Sequence, residues 1–181
     1  MSTLKTTNIT HGSNSGTANM VLASDGGVTI PEKKLVCPGT IIQVLHMTTT
    51  ADATNNDHTA WVDSGLTQAI TMTAASNKVL IMANLFVYIS CSGSSEIGAY
   101  AKLLRGSTAL GSANGVAAHF PLNAGSGDDA QSMIPVHFYD TPGAGTHTYK
   151  IQGSPYSADN NLTMQGGGDM YSTLTLMEVA A

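Results

Sequence analysis

Aspartates gathered in glycine-, serine- and asparagine-rich stretches are the first residues of this sequence with chemistry to offer: Asp57, Asp128, Asp129, Asp159 and Asp169. Cutting a glycosidic bond takes two carboxylates held about 5 to 10 Å apart, one of them kept protonated by a raised pKa. Solvated loops do the opposite, because water keeps a carboxylate ionised and ordinary. These residues are therefore expected to be exposed loop acids, and no catalytic residue is assigned among them. The G-x-S-x-G elbow, the phosphate-binding loop, H-E-x-x-H and paired Cys-x-x-Cys are missing from the sequence, so no enzyme is expected.

Six histidines raise a metal reading. His137 and His147 lie on either side of Asp140–Gly145 (DTPGAG), which reads as a hairpin connection that would bring them face to face. Two ligands do not close a site. In a trimer a single inward-facing histidine, His46, His137 or His147, would recur three times around the axis, but nothing in the spacing demands a metal, and no metal or cofactor is expected. Sugar binding is a better match to the residue types. The Ser154–Asn161 stretch (SPYSADNN) offers Tyr156, Asp159, Asn160 and Asn161 together, an aromatic face to stack on a sugar ring and amides to bond its hydroxyls. With Asp128 and Asp129 these are the receptor-binding candidates, set against the plainer reading of solvated turns. Trp61, flanked by Ala60 and Val62, is a weaker candidate for sugar binding and is expected to pack in the core.

The element that has to organise these loops is Lys78–Ser90 (KVLIMANLFVYIS), rich in strand-forming residues and lacking glycine and proline. Val79, Ile81, Ala83, Leu85, Val87 and Ile89 fall on one face, and Leu80, Met82, Phe86 and Tyr88 on the other with Asn84 between them. A strand apolar on both faces needs two covers: one is the partner sheet of a sandwich, the other a flanking segment or a second copy of the chain. Leu80, Met82, Phe86 and Tyr88 are thus the candidate oligomer interface. Around this strand the pattern predicts Ile41–Thr48, Thr59–Asp63, a turn at Ser64–Gly65, Leu66–Thr73, Ile97–Arg105, Thr108–Gly111, Gln131–Tyr139, a strand carrying His147, Tyr149 and Ile151, Leu162–Gln165 and Tyr171–Val179. Thr49–His58 and Ser112–Ala118 read as loops, and Pro121 restricts HFPLN to an edge or a non-strand. About eight to ten strands with frequent turn signals and no helix predict an all-β fold, an antiparallel, jelly-roll-like sandwich.

At 181 residues the chain is long enough for one core plus an appendage. Residues 1 to 19 are polar, and Asp25-Gly26 between Met20–Ala23 and Val28–Ile30 signals a short hairpin that needs a neighbouring surface. The division expected is an extended attachment segment over 1–34, a linker over 35–39 and a head over 40–181. Charged residues are 10% of the chain, far below the usual level of about a quarter. The net charge of −5 carries no basic run, which argues against nucleic acid. Cys37 and Cys91 do not make a disulfide framework and are expected as two mostly buried thiols. No secretory signal and no membrane-length apolar segment is present, so the reading is a soluble protein made in the cytoplasm and not inserted in membrane, one that would leave a cell by a route such as lysis if it works outside.

Several stretches are familiar in their order: Asn19–Pro31, Trp61–Ala83, Lys102–Gly111, Tyr149–Gln152 and Thr173–Ala181. Together they resemble the C-terminal regions of tail fibre and virion structural proteins from tailed phages, especially marine ones, over nearly the whole chain. The resemblance implies a homotrimer, an N-terminal segment attached to other virion proteins and a β-sandwich head pointing outwards; no repetitive shaft stands between residues 31 and 40. The expected function is a short trimeric fibre that binds a host-surface glycan or protein. An architectural capsid or tail decoration is the alternative, and a virion-borne polysaccharide depolymerase the third reading.

Overall fold

The computed structural model describes residues 37–93, 96–115, 126–166 and 170–181, and the backbone of residues 8–9, 20–22, 28–29 and 116–120. Two compact units divide at Cys37 and Pro38. In the first, β1 (Asn8–Ile9), β2 (Met20–Leu22) and β3 (Val28–Thr29) form an antiparallel sheet in that order. The hairpin signal is realised in the pairs Val21 with Thr29 and Leu22 with Val28. The sequence did not announce β1, which takes the other edge of β2 through Asn8 with Val21.

The second unit is an all-β sandwich. Its strands are β4 (Ile41–Thr49), β5 (Ala53–Asn55), β6 (Val62–Met72), β7 (Lys78–Cys91), β8 (Ile97–Arg105), β9 (Thr108–Leu110), β10 (Val116–Phe120), β11 (Asp129–Asp140), β12 (Gly145–Pro155), β13 (Asn160–Met164) and β14 (Ser172–Val179). Every pairing is antiparallel. One sheet runs β4-β14-β7-β11 and the other β6-β12-β8-β10. With the short strands β5, β9 and β13 set aside, this is the strand order of a jelly roll, two four-stranded sheets wound as Greek keys.

The long strand β7 holds the first sheet together. β11 pairs along Val79–Ser90, so β14 (Lys78–Asn84) and β13 (Val87–Cys91) must share the opposite edge end to end. At the joint the ladder is completed otherwise: the Phe86 amide donates to the Ser172 hydroxyl at 2.9 Å, and its carbonyl accepts from the Gln165 amide at 3.1 Å. This satisfies two backbone groups that would be costly to bury unpaired. On the inward face Val79, Ile81, Ala83, Leu85, Val87 and Ile89 are all fully buried against Leu66, Ile70, Ile97, Leu103, Tyr149 and Ile151 of the second sheet. Each branched side chain there stabilises the fold by about 1.5–3 kcal/mol relative to exposure. Asp140, at the end of β11, latches the sheets at one end. Its Oδ2 accepts from the Tyr149 hydroxyl at 2.8 Å and from the Arg105 guanidinium at 2.7 Å, both in the second sheet. Burial, reinforced by that carboxylate, pushes the Tyr149 hydroxyl far above its ordinary value.

The structure departs from the sequence reading at six places. Of the strand expected over Thr59–Asp63, residues 59–61 belong to a loop and β6 begins only at Val62. Ser64-Gly65 is not a turn but an irregularity inside β6, where the register with β12 shifts between Lys150 and Gln152. Gly65 has φ +83°, and the buried Ser64 hydroxyl donates to the Ile151 carbonyl at 2.8 Å. The strand therefore continues through a bulge where the residue types suggest a break. The loop expected over Thr49–His58 contains β5, tied down by the buried Asn55. The loop expected over Ser112–Ala118 gives way at Val116 to β10, an edge strand that ends immediately before Pro121. Asp140–Gly145 is not a hairpin: β11 pairs with β7, β12 pairs with β6 and β8, and the connection crosses between sheets. Finally, Cys91 is buried as expected but Cys37 is exposed. Among the described residues no helix is long and apolar enough to cross a membrane.

Candidate functional site

The outer face of the second sheet gathers aromatic and polar side chains at one place. In β8 the inward positions Ile97, Ala99, Ala101 and Leu103 are buried in the core, so Tyr100 and Lys102 point outwards. They lie opposite Ser154 and Gln152 of β12. Two loops bring the remaining groups to them. The first, Asn55–Trp61, is stapled by Asn55, whose Nδ2 donates to the Ala60 carbonyl at 3.0 Å and to the Gly153 carbonyl at 3.2 Å. Within it Asp57 Oδ1 accepts from the Thr59 amide (2.8 Å) and hydroxyl (2.6 Å). These bonds hold the Asp57 carboxyl below its ordinary value, the reverse of what a general acid needs. Trp61 is thereby set at the sheet surface, half-buried, and not in the core where the sequence suggested it.

The second loop, Tyr156–Asn160, is fastened to Gly98 from both sides. The Tyr156 amide donates to the Gly98 carbonyl, and Asn160 Oδ1 accepts from the Gly98 amide, each at 2.9 Å. This brings Tyr156 onto Tyr100, the rings stacked with centroids 5.5 Å apart and planes at 29°. Tyr100 in turn lies 6.4 Å from Trp61. Gly115, at φ +73°, closes the far side: a Cβ there would collide with the Ala101 carbonyl and sit 3.2 Å from the Trp61 ring. Between these groups a cleft of about 250 Å³ is lined by His58, Trp61, Tyr100, Asn114 and Ser154.

Charge is placed unevenly along the platform. The Lys102 ammonium stands 3.7 Å from the Trp61 ring centroid, within the range of a cation–π contact, and partial burial lowers its pKa. Among the described residues no carboxylate lies within ion-pair distance of it. The nearby Asp63 is taken by Lys150 at 2.9 Å and Gln152 at 2.6 Å. At the opposite end the Glu96 carboxylate raises the Tyr156 hydroxyl.

Only part of the sequence-derived site assembles here. Tyr156 joins the platform. Asn160 is fully buried, its amide committed to Gly98 and, at 3.9 Å, to the Cys91 sulfur, so it positions the loop and is not open to a ligand. Asp159 packs against Gly93, where a Cβ would strike its carboxyl group, and Asn161 pairs with Ser90 in the ladder. Asp128 and Asp129 are exposed at the same end of β7: the Cys91 amide donates to the Asp128 carbonyl, and Tyr88 bonds Asp129, which raises the tyrosine hydroxyl. Asp169 lies outside the described residues. His137 and His147 sit in different sheets, opposite Met82 and Ile70. Among the described residues no three metal-ligating side chains come together. Tyr100, Lys102 and His58 were missed, and Trp61 was only the weaker candidate. Tyr100 and Lys102 had a visible signal, two polar-tipped residues alternating with Ala99, Ala101 and Leu103, whereas nothing local told Trp61 and Tyr156 to converge on Tyr100.

The outer face of the first sheet is of another kind. Across it Val44, Met177, Leu80 and Tyr139 lie in one row, and His46, Thr175, Met82 and His137 in the next. Val44 and Tyr139 are half exposed and Met82 is 38% exposed, while Leu80 and Tyr88 are half-buried and Phe86 is buried. Asn84 is exposed among them.

No family model matches the chain, and no curated protein matches it. Among solved structures, that of infectious bursal disease virus Gx strain matches at 13% identity and a TM-score of 0.29, over 78% of this chain and 39% of that chain. The chain thus spans about 39% of the length of that neighbour.

Proposed function

We propose that this chain is a virion structural protein, a short trimeric fibre or fibre-like appendage of a tailed phage that recognises its host by binding and not by catalysis. In this reading residues 1–34 attach to other virion proteins, and the jelly-roll head presents the Trp61–Tyr100–Tyr156 platform to a glycan on the host surface. The platform is the observation that carries the reading: three adjoining aromatic rings rimmed by amide, hydroxyl and imidazole groups are the groups that stack on sugar faces and bond sugar hydroxyls. Val44, Met82 and Tyr139, exposed on the outer face of the first sheet, support the trimer, because exposed apolar side chains gathered on one face mark protein interfaces.

The full-length protein is expected to adsorb to host cells and to block infection. Replacing Trp61 and Tyr156 together by alanine should lower adsorption at least tenfold, as loss of aromatic anchors does at other interfaces. If the wild-type chain neither adsorbs nor competes, while remaining incorporated in particles, the protein is a decoration and the receptor reading fails.

A further inference from the structure

We infer that the platform is built for an acidic sugar, one carrying an anionic group that Lys102 pairs with at the Trp61 end. This rests on the glycan-binding reading above and narrows it to a ligand class. The ammonium of Lys102 is held at the surface by the face of Trp61, 3.7 Å from the ring centroid. Among the described residues no acidic side chain compensates it. The neighbouring carboxylate, Asp63, is turned to Lys150 and Gln152 instead, so the lysine keeps its charge for an incoming partner. Removing this ammonium from bulk water strengthens its attraction to an anion over that of a fully solvated lysine.

The polarity of the platform orients the ligand. Lys102 stands at the Trp61 end, and Glu96 acts on Tyr156 at the other. An acidic group on the sugar is drawn to the first end and repelled from the second, leaving its hydroxyls toward Glu96. The cleft, about 250 Å³, is smaller than the roughly 300–1,000 Å³ of drug-sized sites, which suits a single ring or terminal residue. Lysine presents a point charge and lacks the planar fork of arginine, so carboxylate, sulfate and phosphate share the required chemistry.

Binding of the full chain to galacturonic acid oligomers, neutral galactose oligomers of equal length, and their sulfated and phosphorylated forms distinguishes these sources. The expected result is tighter binding of at least one acidic form, weakened by salt as an exposed charge contact must be. Lys102→Met, which keeps the apolar stem, should cost roughly tenfold or more for that form and distinctly less for neutral oligomers, with Lys102→Arg restoring most of the selective loss. An unchanged thermal midpoint in both variants shows that the fold is intact. If acidic and neutral sugars bind alike, or Lys102→Met has no selective effect, the inference is overturned and the glycan reading stands. If no sugar binds, both fall.

Discussion

Glu178 shows what a single side chain can determine in this fold. Its residue is fully buried, yet its carboxylate faces neutral donors only: the Thr73 amide and hydroxyl at 2.8 Å each, Asn77 Nδ2 at 2.7 Å and Gln43 Nε2 at 2.5 Å. Burial by itself would raise its pKa, but the bonds from Asn77, Gln43 and Thr73 outweigh burial and hold it below the ordinary 4.5. The unfolded chain therefore binds a proton before the folded one does. Stability from this group is fully present above about pH 4.5 and is lost as pH falls through the lower folded value. Glu178→Gln would turn an amide donor toward Asn77 or Thr73. The expected outcome is a lower thermal midpoint at pH 7 and a shallower decline between pH 5 and 3 than in the wild type, measured by calorimetry across that range.

At the scale of the element, β6 and β11 show how strands tolerate residues that argue against them. Ser64-Gly65 has turn composition, but the buried Ser64 hydroxyl takes the Ile151 carbonyl and the chain stays in the sheet. Ser64→Ala should leave that carbonyl short of a donor and cost about 1–2 kcal/mol, a drop in thermal midpoint of about 5 °C for a chain of this size. A midpoint within 1 °C of wild type would show the bulge to be held by backbone bonds alone. Pro135 stands within β11, which is tolerated because β11 pairs only with β7 and its other edge is open in the described residues. That proline also blunts the edge against strand addition.

For the whole molecule, the decisive question is what covers the outer face of the first sheet. In the proposed trimer a second copy does so. Sedimentation or mass photometry at micromolar concentration should then show a particle of three chains, and a stable species of 18.6 kDa would contradict it. Val44→Asp with Met82→Asp places two charges on that face without touching the core, because both side chains are exposed. It should yield monomers with unchanged far-ultraviolet circular dichroism. If trimers persist in this variant, the interface lies elsewhere.

Local pattern settles much of this protein. Alternation in β7 identified its inward face, with Val79, Ile81, Ala83, Leu85, Val87 and Ile89 in the core as expected, because period-two burial is a property of each strand by itself. Turn residues placed most strand ends for the same local reason. Which strands become neighbours is a different matter. The crossing at Asp140–Gly145 looks like a hairpin in residue types, and only the packing of two sheets around one core sends β11 to β7 and β12 to β6 and β8. That choice separates His137 from His147 and so dissolves the paired-histidine site. The candidate platform was equally hidden: Trp61, Tyr100 and Tyr156 are far apart in the chain and meet because Asn55 and Asn160, both buried, tie their loops to Gly153 and Gly98. Hydrogen bonds across sequence distances of this kind have no local signature, whereas the apolar stripe of β7 declares itself in every second residue.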